Sequence, residues 1–178
     1  QSGSDRILVE MNRTHTADDY LNAIDLLRMA RPDIAISGDF IVGFPGETDE
    51  DFEATMELVR EVNYSSAYSF MYSPRPNTPA AEMKNQVPQD VKKERLARLQ
   101  ELLTQQQGDF NKSFVGKTLS VLVESTGREP GQIRGRTPHN IAVNMMGNER
   151  LIGQQIRVNI THATASSLLG EIELEEVA

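Results

Sequence analysis

An acidic residue interrupts an otherwise apolar run near the start of the chain. Asp39 lies within residues 34–43, IAISGDFIVG, whose composition is typical of a buried parallel strand. An unpaired carboxylate is costly to bury. Asp39 therefore requires either a bound ligand or a structural partner such as Arg13, and the residues alone leave both explanations open.

A glycine-rich turn follows this run. Residues 43–48, GFPGET, place Gly43 and Gly46 directly before a helix that Thr48 is expected to cap. Glycines let a ligand approach the backbone, and a helix N-terminus offers free N–H groups to an anion. The C-terminal ends of strands are also where (β/α) barrels bind substrates. Ordinary loop geometry is the more common reason for Gly and Pro at such a turn.

The elements that must position these residues alternate between helix and strand. Thr16 and Asp19 indicate a capping box at the start of one helix, and Pro32 ends it. A second helix follows Thr48, and residues 67–72 indicate another strand. The buried stripe of that second helix is predicted to be Phe52, Met56, Val59 and Val62. Strand, helix and strand at this spacing predict a βαβ unit, so residues 1–85 are α/β.

The middle of the chain is predicted to be a loop followed by a long helix. Residues 74–90 contain four prolines, and an amphipathic helix is expected from about Gln89 to Phe114. Its apolar side carries Leu96, Leu99, Leu102, Leu103 and Phe110. The basic segment at residues 92–98, KKERLAR, is expected to be a solvated face rather than a nucleic-acid site.

After Gly116 the hydrophobic period changes to two. Apolar stretches that indicate short strands occur at residues 119–123, 140–145, 155–161 and 168–174, with glycines between them. About five strands in about 60 residues predict a small closed or nearly closed all-β barrel of OB type. We therefore expect an α/β domain over residues 1–113 and a β-barrel over residues 114–178.

Charge is distributed unevenly along the chain. The net charge of -8 argues against a general nucleic-acid binder, yet residues 128–157 hold five arginines and two glutamates, a local charge of +3. Arg134, Arg136 and Arg150 are therefore candidates for phosphate contacts. His139 and Asn140 are candidates for contacts with an unpaired base. A solvated surface on a structural barrel is the alternative.

The composition narrows the class of protein. The sequence has no cysteine, which excludes disulfides and cysteine-based metal sites within these residues and fits a reducing cytoplasm. Neither His15 nor His162 has a metal-ligand companion at useful spacing. No apolar run is long enough for a membrane span, and the polar first residues do not form a signal peptide. Because the sequence opens without methionine, we expect it to be part of a longer chain.

Several motifs, in order, carry a family resemblance. QSGSDRIL, MNRTHT, SGDFIVGFPGETDEDFEATMELV and SFMYSPRPNTPAA resemble the radical-SAM methylthiotransferase family. IRGRTPHNIAVNMMG and IGQQIRVNITHATASSLLGE resemble the TRAM domain of that family. The resemblance covers essentially the whole chain. It implies a partial radical-SAM (β/α) barrel followed by an RNA-binding, OB-like TRAM barrel.

The resemblance also implies residue roles. By position, Gln1 and Asp39 match residues that contact the ribose hydroxyls of S-adenosylmethionine, and Arg13 matches one that pairs with the methionine carboxylate. The turn at Gly43 and Gly46 would lie against the adenosyl part. The backbone from Phe70 to Tyr72 would face the adenine. Arg75, in the loop that follows, would lie near the barrel mouth and meet RNA.

The implied activity is that of the tRNA branch of this family. Such an enzyme adds a methylthio group to N6-isopentenyladenosine at position 37, in the tRNA anticodon stem-loop. It uses S-adenosylmethionine, two [4Fe–4S] clusters held by cysteines, and an electron donor. Since this sequence has no cysteine, it holds no cluster, and we expect the chain alone to be inactive.

Three rival functions stay open from the sequence. The sister branch of the family methylthiolates an aspartate of a ribosomal protein. A non-catalytic protein would use only the β-barrel to bind RNA. A phosphate-binding barrel would use GFPGE as its anion site, although Asp39 would repel that ligand.

A partial barrel also leaves strand edges and apolar surface uncovered. We expect the chain to self-associate across that open edge.

Overall fold

The computed structural model describes residues 1–173 and divides the chain into two compact units. The first unit is Gln1–Gln106 and the second begins at Gln107, so the division falls within one long helix. The helices in chain order are α1 (Asp5–Glu10), α2 (Ala17–Ala30), α3 (Asp49–Val62), α4 (Pro79–Glu82) and α5 (Gln89–Lys112). The strands are β1 (Ser37–Val42), β2 (Ser66–Met71), β3 (Thr118–Thr126), β4 (Gln132–Arg136), β5 (Ala142–Met146), β6 (Gln155–Ala163) and β7 (Ser167–Ile172). None of the helices within residues 1–173 has the length and hydrophobicity that a bilayer span requires.

Two capping boxes start the main helices of the first unit. At α2 the Thr16 hydroxyl accepts from the Asp19 amide, and the Asp19 carboxylate accepts from the Thr16 amide. The same reciprocal pair, Thr48 and Asp51, starts α3. Each box satisfies backbone donors that a helix start otherwise leaves unpaired. Both helix starts are confirmed, and the loop at residues 74–90 additionally contains the single turn α4.

The first unit has a two-stranded parallel sheet. β1 pairs with β2 so that Asp39 lies opposite Tyr68 and Ile41 opposite Phe70. Side chains two apart share a face, so these four residues point to one side of the sheet. That side is largely exposed, whereas Phe40 and Val42 on the other side are buried. The expectation that Asp39 is buried is therefore wrong, because β1 is covered on one face only.

The core of this unit lies between the sheet and the helices. The predicted stripe of α3 is confirmed, since Phe52, Met56, Val59 and Val62 are all buried. Leu99 and Leu103 of α5 join the same cluster. The apolar periodicity of both helices therefore places them on the sheet.

A buried ion pair ties the turn after β1 to α5. The Arg95 guanidinium donates to the Glu47 carboxylate at 2.7 Å, and the Glu47 and Arg95 side chains are only 2% and 6% exposed. Arg95 also donates to Asp49, and Glu47 accepts the Gly43 amide at 2.9 Å. Burial raises the pKa of Glu47, against the opposing effects of the Gly43 amide and Arg95.

The expectation that residues 92–98 form a solvated face is thus wrong for two of the cations. Lys92 and Arg95 are both buried. The Lys92 ammonium donates to the Tyr72 carbonyl at 3.3 Å and lies 5.2 Å from the Tyr72 ring centroid. Both cations were misassigned because their partners come from distant parts of the chain.

The second unit contains a closed five-stranded barrel with the order β3-β4-β5-β7-β6. β5 and β7 are parallel, and the other neighbours are antiparallel. The expected OB-like barrel is confirmed. The periodicity did not indicate β4. The strand predicted at 168–174 and the barrel domain expected up to residue 178 both extend past residue 173, the last described residue.

The barrel interior is a separate apolar core. Its buried residues include Val121, Ile133, Val143, Val158 and Leu168, one from each strand. Phe110 and Phe114 pack edge to face at 5.2 Å and contact this core. Their burial explains the last apolar positions of the helical pattern.

Asp51 links two helix starts. Its carboxylate accepts from the Ser4 hydroxyl at 2.6 Å, from the Thr48 amide at 2.8 Å, and from Arg6. Ser4 is itself the N-cap of α1. Burial raises the pKa of Asp51, but these hydrogen bonds outweigh burial and hold the pKa at about 2, below the ordinary 3.8.

Asp51→Asn should therefore destabilise the fold in a pH-dependent way. A lowered folded-state pKa contributes stability that is complete above the unfolded pKa and is lost as the pH falls. We expect a loss of up to about 2 kcal/mol in the free energy of unfolding near neutral pH, shrinking between about pH 4 and about pH 2. Urea denaturation across this range measures it. Glu50→Gln, an exposed change in the same helical turn, should shift stability by less than about 0.5 kcal/mol. A pH-independent difference for Asp51→Asn would contradict the assignment.

Candidate cofactor pocket and nucleic-acid surface

Three predicted site residues meet at one pocket of the first unit. Gln1, Arg13 and Asp39 all line a cavity of about 330 Å³. They come from the first residue, the loop after α1 and strand β1. The spacing of these residues in the sequence does not predict that they are close together. Their proximity is therefore a result of the fold.

Local structure positions each of the three side chains. The Gln1 carbonyl accepts the Ile41 amide at 3.0 Å, which holds Gln1 beside β1. Asn12 adopts a left-handed conformation with φ 58°, and the Arg13 amide then donates back to the Leu8 carbonyl at 2.8 Å. This tight turn brings Arg13 back toward the sheet.

The pocket wall includes two tyrosines that sequence analysis did not single out. The Tyr64 hydroxyl donates to the Tyr20 hydroxyl at 2.9 Å, and both residues line the pocket. Burial, together with Tyr20, raises the pKa of Tyr64. His15 and Ser37 also line the pocket. Both lie within the motifs MNRTHT and SGDFIVGFPGETDEDFEATMELV, but the sequence predicted no binding role for either.

The polar groups of the pocket are available to a ligand. Asp39 and Arg13 are both exposed, and within residues 1–173 no ion pair joins them. The structural pairing of Asp39 with Arg13 is therefore not formed. A carboxylate and an amide suit vicinal hydroxyls, and a guanidinium suits a carboxylate. This donor set fits a ligand such as S-adenosylmethionine.

The glycine turn is packed against protein instead. Gly43 and Gly46 have φ 71° and 82°, a region that favours glycine. A Cβ on Gly43 would clash with the Lys92 side chain, and one on Gly46 with the Asn85 amide. Neither glycine lines the pocket. Their conformations therefore serve close packing within this unit.

Phe70 lies on the same sheet face as Asp39 but outside the pocket. Its side chain is 55% exposed, and Ile41 is its partner across the sheet. Arg75 is exposed in the loop after β2, where its carbonyl accepts the Thr78 hydroxyl. Phe70 therefore belongs to the open face beside the pocket.

The predicted RNA-contacting residues of the barrel fall into distinct environments. Arg134 is exposed and lines a polar groove of about 520 Å³. Arg136 pairs with Glu124 at 3.2 Å and donates to the carbonyl and side-chain oxygens of Asn140. The His139 ring packs against Phe114 with centroids 4.8 Å apart. Arg150 is exposed on a short 3-10 turn and does not line the groove.

No metal centre is formed by these residues. Within residues 1–173, no three or more His, Asp or Glu side chains are grouped to hold a metal ion. The sequence also has no cysteine to ligate a cluster.

Comparison with known proteins finds matches to part of each unit. Residues 1–59 match the family model of the Radical SAM superfamily, and residues 112–172 match that of the TRAM domain. Two similar proteins are each named tRNA-2-methylthio-N(6)-dimethylallyladenosine synthase. The one from Bartonella bacilliformis is 58% identical over 171 residues, which cover 96% of this chain and 37% of that protein. The one from Maricaulis maris is 58% identical over 172 residues, or 97% of this chain and 38% of that protein.

The chain thus spans little more than a third of the length of these relatives. Within that span, the matches confirm the resemblance that the motifs indicated. Residues 1–59 are therefore similar to the Radical SAM superfamily, and residues 112–172 are similar to the TRAM domain.

Proposed function

We propose that the protein to which this chain belongs transfers a methylthio group to N6-dimethylallyladenosine in tRNA, at position 37, and works in the cytoplasm. The observation that carries the proposal is the meeting of Gln1, Arg13 and Asp39 at one pocket. The names of the two relatives, which are 58% identical over nearly the whole chain, support this choice of substrate.

The pocket residues have separate binding roles in this proposal. Asp39 and Gln1 hold the ribose hydroxyls of S-adenosylmethionine, and Arg13 holds its methionine carboxylate. S-adenosylmethionine supplies the methyl group and the radical chemistry when it is bound. Cysteines outside these 178 residues bind the two clusters, and a separate electron donor reduces them. The TRAM domain anchors the tRNA.

Binding of S-adenosylhomocysteine to the chain tests the pocket. We expect Asp39→Asn and Arg13→Ala each to raise the dissociation constant about tenfold, because each loses a hydrogen bond to a charged group. Ligand-observed NMR titration measures this without enzymatic turnover. Asp18→Asn changes an exposed carboxylate of α2 that does not line the pocket, and it should leave the affinity unchanged. Equal affinities for all the variants would contradict the assignment of this pocket as the cofactor site.

Disruption of the gene tests the substrate. We expect tRNA from the disrupted strain to lack the 2-methylthio group on N6-dimethylallyladenosine while it keeps the dimethylallyl group. Mass spectrometry of nucleosides measures both. Loss of methylthiolation from a ribosomal-protein aspartate, with tRNA unchanged, would instead indicate the sister branch. An unchanged level of both modifications would indicate a non-catalytic RNA-binding protein.

We also propose that the isolated chain self-associates through its two-stranded sheet. The open face of the sheet carries Tyr68 and Phe70, both more than half exposed. Exposed aromatic side chains beside an unpaired strand edge favour pairing with another copy. Light scattering should show a mass that increases with concentration, and Tyr68→Ser with Phe70→Ser should reduce that increase. A monomer at all concentrations would contradict this.

A further inference from the structure

The strand pairing of the barrel places two loops at opposite ends of β4 and β5, so that the face of these strands lies between them. Numbered within the barrel, β3-β4-β5-β7-β6 is the order 1-2-3-5-4, with strands 3 and 5 parallel. The loop between strands 1 and 2 is residues 127–131, and the loop between strands 4 and 5 is residues 164–166. Barrels of the OB fold bind oligonucleotides on the face of strands 2 and 3, between these two loops.

A polar groove occupies that location. Its volume is about 520 Å³, and it is lined by residues of both loops and by strand residues that include Gln132 of β4. Arg134 of β4 and Asn144 of β5 also line it from the outer face of the barrel. These two residues are direct partners across the strands. Arg128 and Ser166 come from the two loops. The groove therefore combines every element through which an OB fold holds a nucleic acid.

The cations of the groove have no protein partner in the described part of the chain. Arg136 pairs with Glu124 and Arg157 pairs with Glu173, both outside the groove. By contrast, no carboxylate lies within ion-pair distance of Arg128 or Arg134 among residues 1–173, although Glu129 lines the same groove. Two guanidinium groups are thus left to neutralise phosphates.

Apolar side chains flank the polar groove. Met146 is 63% exposed and lies opposite Gln132, while Leu169 is 39% exposed and lies opposite Asn144. Unstacked bases need apolar surface for their faces and hydrogen-bonding groups for their edges. This surface offers both, which suits an unpaired strand rather than a duplex.

Hydrogen bonds hold both loops in place. The Gln132 side chain accepts the Arg128 amide at 3.0 Å, which fixes the first loop. In the second loop the Thr164 hydroxyl accepts the Ser167 amide at 3.0 Å. The buried Asn111 side chain donates to the carbonyls of Thr164 and Ala165, each at 3.0 Å. The groove therefore exists before any ligand is bound, which limits the entropic cost of binding.

We propose that this groove is the site at which the TRAM domain holds an unpaired segment of its RNA. Arg128 and Arg134 contact the phosphodiester backbone, and Asn144 with Ser166 contacts base edges. Arg136, His139 and Asn140 are instead structural residues of the β4–β5 turn. The inference rests on the proposed function, because it takes tRNA as the partner and names where on the barrel it binds.

Fluorescence anisotropy of a labelled, unmodified anticodon stem-loop with the whole 178-residue chain tests the groove. Affinity is measured at about 50 and about 200 mM salt. Arg128→Ala and Arg134→Ala should each weaken binding about fivefold or more. Each should also reduce the slope of the logarithm of the binding constant against the logarithm of the salt concentration by about one phosphate contact. Arg150→Ala removes the same charge from an exposed position outside the groove, so its affinity should stay within about twofold of the parent chain. Glu129→Gln should tighten binding, because it removes the carboxylate from the groove. Unlabelled single-stranded RNA should compete better than a duplex of equal length.

Several outcomes would overturn the proposal. They are unchanged binding by both groove variants, an equal or larger loss in Arg136→Ala or Arg150→Ala, better competition by duplex, and absence of RNA binding at low salt. Because the mutated arginines are exposed, unchanged thermal midpoints will show that the variants fold. The proposed function fails separately, since tRNA that keeps its methylthio group in the disrupted strain rejects the enzyme activity even if the groove binds RNA.

Discussion

The α/β unit depends on one buried charge pair, Glu47 with Arg95. Removal of one partner from such a pair leaves an uncompensated charge in the interior, at a cost of about 3–5 kcal/mol. Glu47 also accepts the Gly43 amide, and Arg95 also binds Asp49, so the pair fixes the turn after β1, the start of α3 and the side of α5 together. Because these elements are fixed, the apolar residues of α3 and α5 can pack on one face of the sheet.

The glycine turn and the pocket residues lie in different environments. Lys92 and Asn85 fill the space beside Gly43 and Gly46, so the glycine turn is used for packing. Among residues 1–173, the side of β1 that carries Asp39 is largely exposed. Asp39 lines the pocket with Gln1 and Arg13, and Phe40 of the covered side lines it too. The cofactor contact predicted for Gly43 and Gly46 stays a prediction, whereas their packing against Lys92 and Asn85 is observed.

In the described part of the barrel, the arginines also differ in their surroundings, because some are paired with a carboxylate and others are not. Glu124 and Glu173 neutralise Arg136 and Arg157, whereas Arg128 and Arg134 lie in a groove with uncharged polar neighbours and one glutamate. The count of arginines along the chain predicted an arginine-based surface for phosphates. Only the pairing of each guanidinium separates those that hold the barrel together from those that are open to phosphate.

The sequence by itself determined the features that depend on near neighbours. The capping boxes at Thr16 and Thr48, the buried stripe of α3 and most strands followed from short spacings, and the family motifs named the pocket residues. It did not indicate β4, because QIRGR has only one large apolar residue, Ile133, and its Gly135 lies against the backbone of β3. Nor did it show that Arg95 is buried or that Asp39 is exposed. Only the tertiary structure decided these, because the burial of a charge depends on partners such as Glu47, 48 residues away.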